Sequence, residues 1–268
     1  MTSLPSRNPK RPTSATEAGT SGSQTVQRAV AILRRVAEGG SDGRRVVDIA
    51  QEAGLHVATT QRLMATLARE GLLHQIADTK RYRVGPEVLA LAAYVRRSMS
   101  MESMLDGALK RLAQRTGDTV FLMVRSGYSG ICLAREEGTF PIKTMTLDIG
   151  SRRPLGVGAG ALALLAFSPA YEAEEAIAAN AGDYQAFATT ATKVQTLVEQ
   201  TRRLGYALND EDVVRRVKSV ALPVASTSGR IVAAVTVAAI AERMDARRRA
   251  QIVQMIREEI SLLPDIPD

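Results

Sequence analysis

One cysteine, two histidines and no long apolar run are the gaps that say most about this chain. A single thiol, Cys132, cannot form an internal disulfide, and with no CxxC spacing there is no thiolate metal site. The cytosol is therefore the simplest compartment. Cys132 lies in an apolar run and reads as a small core residue rather than a nucleophile. The longest apolar stretches, around Gly158–Phe167 and Ile231–Ile240, are too short to span a bilayer, so no membrane partner is expected. Arg7, Lys10 and Arg11 are followed by no apolar segment of the secretory kind. His56 and His74 both fall in the first third. The rest of the chain has no Ser-His-Asp or Cys-His arrangement and no histidine metal site, which leaves a carboxylate pair as the one open acid–base device. The chain is read as a non-enzyme with no catalytic residue, metal or cofactor.

An acidic excess is also absent. Residues 1–97 hold 15 Lys or Arg against 8 Asp or Glu, whereas residues 98–268 hold 20 of each, so the net charge of +7 lies wholly in the first third. A uniformly basic chain would suit RNA, heparin or an anionic membrane equally. An excess confined to one segment instead points to phosphate neutralisation by that segment.

Residues 44–85 read as helix, turn, helix and basic hairpin. Val47, Ile49, Ala50 and Ala53 pattern a helix over 46–53, and Gly54 suits its left-handed stop. A second helix carries Thr59, Thr60, Gln61 and Arg62 near its start and Leu63, Met64, Leu67 and Ala68 at helical spacing, ending at Gly71. Polar groups suited to base edges or phosphates thus stand at the N-terminal end of a helix that would enter the major groove. A hairpin is expected from 72–76 and 81–84, with Lys80, Arg81 and Arg83 on it. Upstream, Val26, Ala29, Val30, Leu33, Val36 and Ala37 predict a helix over 24–38, which completes a winged helix-turn-helix over 24–85. Residues 1–23, rich in Ser, Thr, Pro and Gly, are expected to be a disordered tail.

From Pro86 the pattern VLALAAYVRR predicts a linker helix over 86–98 that is too apolar to stand free, and a second subunit is its cheapest partner. The region 99–268 reads as an α+β domain. A helix over 100–116 leads into strand-like runs at 119–125, 131–136 and 143–147, an apolar helix to Phe167, two further helical stretches, strands at 219–225 and 231–239, and a last helix over 245–263. An antiparallel sheet of five or six strands flanked by helices follows.

Gly156, Gly158 and Ala161 fit a degenerate GxGxxA, but Pro154 and two arginines stand where a buried parallel strand should precede a nucleotide loop. Without a nucleotide, these glycines would still let backbone amides at a helix start approach a ligand, or form a tight loop that only packs. Asn209, Asp210, Glu211 and Asp212 form an acidic run that either orders a pocket loop or is a solvated turn. Ser219 and Thr236 place hydroxyls on otherwise aliphatic strands, where they meet a ligand or nearby backbone.

Taken in order, QRAVAILR, VVDIAQEAGL with TTQRLMATLAREG, RYRVG, DIGSRRPLGVGAGALALLA, and GYALNDED with SVALPV and GRIVAAVTV resemble the IclR-type bacterial transcription regulators over about 24–263. The resemblance implies a GAF-like effector domain, a homodimer or homotetramer, operator DNA as partner, and control of catabolic genes by a small, often carboxylated metabolite. It places DNA contacts at Arg28, Thr59, Gln61, Arg62 and the wing residues Lys80, Arg81 and Tyr82. Effector contacts fall near Gly158, Ala159, Gly160, Asn209, Asp210, Ser219 and Thr236. Ala58 stands where the family often has Ser, Gly156 where it has His, Ala161–Leu162 where it has a Gly-Lys pair, and Arg216 where it has Gly. The pocket is therefore expected to differ in shape, with Arg215 and Arg216 as further candidates for an acidic ligand.

Overall fold

The computed structural model describes residues 16–98, 101–210 and 213–266 and divides after Ser98 into two units. In the first unit, helix α1 (Thr16–Ala37) starts ahead of the expected Gln24, because each residue added to a formed helix costs little. Residues 1–15 of the expected tail lie outside the described residues. The buried stripe of α1 is Ile32 and Val36 with Ala29 and Leu33 beside it, whereas Val26 and Val30, expected on that face, are exposed. Helices α2 (Val46–Ala53) and α3 (Val57–Arg69) are separated by Gly54, whose φ of 63° reverses the chain at no steric cost. Strands β1 (Leu73–Gln75) and β2 (Tyr82–Val84) pair antiparallel, with His74 opposite Arg83. Arg44 and Tyr82 exchange two backbone hydrogen bonds, 2.7 and 2.8 Å, which fastens the hairpin to the start of the helix pair. Helix α4 (Glu87–Ser98) follows.

The second unit begins with α5 (Met101–Thr116), then β3 (Thr119–Ser126), β4 (Ser129–Glu136) and the short β5 (Arg152–Pro154). Helices α6 (Ala159–Ala166), α7 (Ala170–Ala179) and α8 (Ala191–Leu204) come next. They are followed by β6 (Ala207–Asp210), β7 (Val217–Ala225), β8 (Ile231–Ile240) and α9 (Ala246–Ser261). The strands form one antiparallel sheet in the order β5-β4-β3-β8-β7-β6. The alternation of β-strand side chains sends Val120, Leu122, Val235 and Val237 to a core with α5 and α9, and Met123, Ala221 and Ala234 to a core with α6, α7 and α8. All eight residues of α6 are buried, so its sequence carries no polar face.

One sequence expectation fails here. Residues 143–147 form no strand. The Thr144 hydroxyl donates to the Ala238 carbonyl at 2.9 Å and the Thr144 amide to Thr119 Oγ1 at 3.3 Å, so side-chain bonds stand where a ladder was expected. The third strand is instead Arg152–Pro154, a sheet edge at which the missing proline N–H costs nothing. Asp118, buried at the start of β3, accepts from Arg243 Nε at 2.9 Å and Arg248 Nη2 at 2.8 Å and so clamps α9 to the sheet.

Candidate DNA-binding face and ligand recess

Helix α3 divides its polar residues between two faces. Gln61 and Arg62 are exposed with Ala58, Ala65, Thr66 and Arg69, which is one side of a helix. Thr59 is half-buried. Thr60, expected among the DNA contacts, is 0% exposed, and its hydroxyl donates back to the His56 carbonyl at 3.2 Å. One step along a helix turns a side chain by about 100°, which is enough to move position 60 from groove to core. Tyr82, another expected contact, has its ring in the core at 2% exposure. Its hydroxyl accepts from Gln61 Nε2 at 3.2 Å, so it joins the wing to α3 rather than facing outward.

On the wing, Lys80 and Arg83 are exposed, and Lys80 takes a φ of 56° at the turn. Arg81 is half-buried, with Nη1 donating to the Gly43 carbonyl at 3.2 Å. Arg28 on α1 is half-buried. Of the expected DNA contacts, Gln61, Arg62 and Lys80 are thus exposed, as is Arg83 on the wing. Arg45 and Asp48 pair through two bonds of 2.9 and 2.8 Å at the start of α2, and the hydrogen bond from Arg45 holds the Asp48 carboxyl below its usual range.

In the second unit a recess opens between the start of α6 and the sheet. Its floor is a patch of small and polar residues set by register: Asn209 opposite Ser219, Ser219 opposite Ala238, and Thr236 opposite Phe121. Ala238 and Ser219 leave the space that larger strand residues would fill. Gly158, Ala159 and Gly160 form the rim. Gly160 allows the close approach, since a Cβ there would stand 2.5 Å from Met123 Sδ and 2.7 Å from Thr236 Oγ1.

Of the seven effector candidates, Gly158, Ala159, Gly160, Asn209, Ser219 and Thr236 line this one cavity. Asp210 does not. As the next residue of β6 it points to the opposite face, where it is exposed and paired with Lys218 at 2.7 Å. Asn209 and Asp210 are themselves strand residues rather than a turn, and Glu211 and Asp212 lie outside the described residues. Arg215 and Arg216 line a separate open groove with Ile142 and Met145, and Arg216 pairs with Glu242 at 2.5 Å. That pairing holds the Glu242 carboxyl below its usual range.

Sequence reasoning missed Arg153. It lines the recess from β5, donates from Nη2 to the Thr146 carbonyl at 2.9 Å, and lies 5.8 Å from the centre of the Phe187 ring. Burial pushes its pKa down. The signal was present as two adjacent arginines before Pro154, but which of them faces the recess depends on the pairing of Arg153 with Gly130. Cys132 is fully buried on β4, and burial pushes its thiol up to about 11.

The model of the bacterial transcriptional regulator IclR C-terminal region matches residues 93–261, and that of the IclR helix-turn-helix domain matches residues 25–77. The chain belongs to the IclR family. The HTH-type transcriptional regulator XynR of Escherichia coli K12 is 28% identical over 239 residues, covering 88% of this chain and 93% of XynR. A solved IclR transcriptional regulator from Silicibacter sp. TM1040 has a TM-score of 0.75 and 26% identity, covering 88% of this chain and 92% of that one. A Microbacterium hydrocarbonoxydans IclR homologue, solved with 4-hydroxybenzoate, has a TM-score of 0.68 and 20% identity over 88% of this chain and 96% of its own. Membership makes this protein a DNA-binding transcription regulator, and its relatives are regulators rather than enzymes. Among the described residues, no helix is long and apolar enough to cross a membrane.

Proposed function

We propose that the protein is a ligand-controlled operator-binding switch. In this reading residues 24–85 bind DNA, α4 links and dimerises, and 99–268 bind a small carboxylated or aromatic effector whose occupancy alters operator affinity at catabolic genes. The observation that carries the ligand half is the convergence of six separately placed candidates, from α6, β6, β7 and β8, on one recess. A solved relative with this fold binds 4-hydroxybenzoate, in keeping with a small aromatic or carboxylated ligand. Pairing through α4 is supported by Leu89 and Tyr94, which are 74% and 69% exposed within the chain. The effector shifts the equilibrium only as far as it binds one arrangement of the dimer better than the other.

The exposed face of α3 makes a direct test. A footprint on DNA upstream of the protein's own gene locates the operator, and Gln61→Ala or Arg62→Ala weakens binding there by about 1–3 kcal/mol where the side chain reads a base edge. Binding that survives both changes together would exclude α3 as the reading helix. Affinity for all DNA sequences alike would replace the operator switch with nonspecific phosphate binding.

A further inference from the structure

We propose that Arg153 is an anion anchor that makes the recess selective for ligands carrying a single carboxylate on a small, largely apolar body. The proposal rests on the reading of the recess as the effector site and adds the charge of what enters it. Arg153 is the only charged side chain among the described residues of the lining. Several other partly buried guanidiniums of this unit meet carboxylates: Arg125 meets Glu172, Arg135 meets Asp148, and Arg243 and Arg248 share Asp118, while Arg152 donates to the Ser126 carbonyl at 3.2 Å. Among the described residues Arg153 meets none, and its contacts are a backbone carbonyl and an aromatic ring.

A guanidinium removed from water without a counter-ion is held at a cost, and a carboxylate arriving from solution offsets it. One of its five N–H donors serves Thr146, and a planar fork is the donor geometry that accepts a carboxylate through two parallel bonds. A second observation points to a ligand independently. The Thr236 hydroxyl is buried in the same cavity and has no hydrogen-bond partner among the described residues. With Ser219 and Asn209 it offers a polar end for a hydroxyl or carbonyl. Between these ends the walls are Phe121, Met123, Leu147, Val157 and Val213, which match an apolar body and leave a second carboxylate without a partner.

The test uses the full-length protein and three sets of probes: benzoate, 4-hydroxybenzoate and pyruvate; their amides; and the dicarboxylates terephthalate and malonate. Thermal shift and calorimetric titration are read for wild type, Arg153→Met, Arg153→Lys and Ser219→Phe. At least one monocarboxylate stabilises wild type, while its amide and the dicarboxylates bind at least tenfold more weakly. Arg153→Met loses that preference and Arg153→Lys keeps part of it. Should Arg153→Met fail to melt cooperatively, the acid-against-amide comparison on wild type decides. Equal binding of acid and amide, or unchanged acid binding by Arg153→Met, overturns the anchor and leaves the recess standing. Acid binding that survives Ser219→Phe places the ligand elsewhere and overturns the recess reading itself. If no acid binds, crystals soaked in iodide decide. A peak beside the guanidinium that Arg153→Met abolishes supports the anchor, and its absence overturns it.

Discussion

Replacing Thr236 with Val should stabilise the ligand-free protein, the reverse of what a threonine-to-valine change does where the hydroxyl is bonded. Thr236 sits on β8 between Phe121 and Ala221, is 6% exposed, and its Oγ1 lies where a Gly160 Cβ would come within 2.7 Å. A buried hydroxyl without a partner costs about 1–3 kcal/mol, and valine fills nearly the same volume with a methyl group that requires no hydrogen bond. Taking the lower end of that range for a site at the rim of a cavity, the gain is about 1 kcal/mol, which for a unit of this size raises Tm by roughly 2–4 °C. Differential scanning calorimetry of the ligand-free chain reads this directly. The same substitution removes a hydrogen-bond partner for the ligand, so affinity should drop about three- to tenfold. An unchanged or lower Tm in Thr236→Val would mean the hydroxyl is satisfied before any ligand arrives, and the argument from an orphaned group would fall.

Two further outcomes test the frame around the recess. Asp118→Ala leaves Arg243 and Arg248 without their shared carboxylate, and because both arginines are partly exposed the loss is about 2–3 kcal/mol, below the full range for a buried pair. Urea denaturation measures it, and a loss under about 0.5 kcal/mol would show that α9 does not depend on this clamp. Cys132, with its thiol raised to about 11 by burial, should resist Ellman's reagent in the native protein at pH 8 and react on unfolding. Because the folded thiol holds its proton where the unfolded one releases it, stability should decline as pH rises from about 9 towards 11. A Cys132→Ala variant should lose that part of the pH dependence.

The parts legible from the chain alone are those governed by near neighbours. Gly54 and Gly71 bracket α3 because a left-handed stop is a local demand, and the bounds of α2 follow from four apolar residues at helical spacing. Strands β7 and β8 were legible for the same reason, as apolar runs around the turn at 226–230. What a side chain faces is a different matter. Thr60 and Gln61 are adjacent and equally polar, yet one bonds inside the core and the other lies on the exposed face, a choice made by how α3 packs on α1 and α2. Asn209 and Asp210 divide in the same way, since the pairing of β6 with β7 decides which of them meets Ser219 inside the recess.

Arg153 is the extreme case. Its neighbours along the chain, Arg152 and Pro154, argue for an exposed loop. Only the pairing of β5 with β4, and the approach of Phe187 from beyond α7, place its guanidinium at the cavity wall. A charge whose burial depends on three separate elements leaves no local pattern to read. The residues that the family resemblance placed around the recess therefore describe the cavity's shape, while the residue proposed to set its preference for an anion is visible only in the fold.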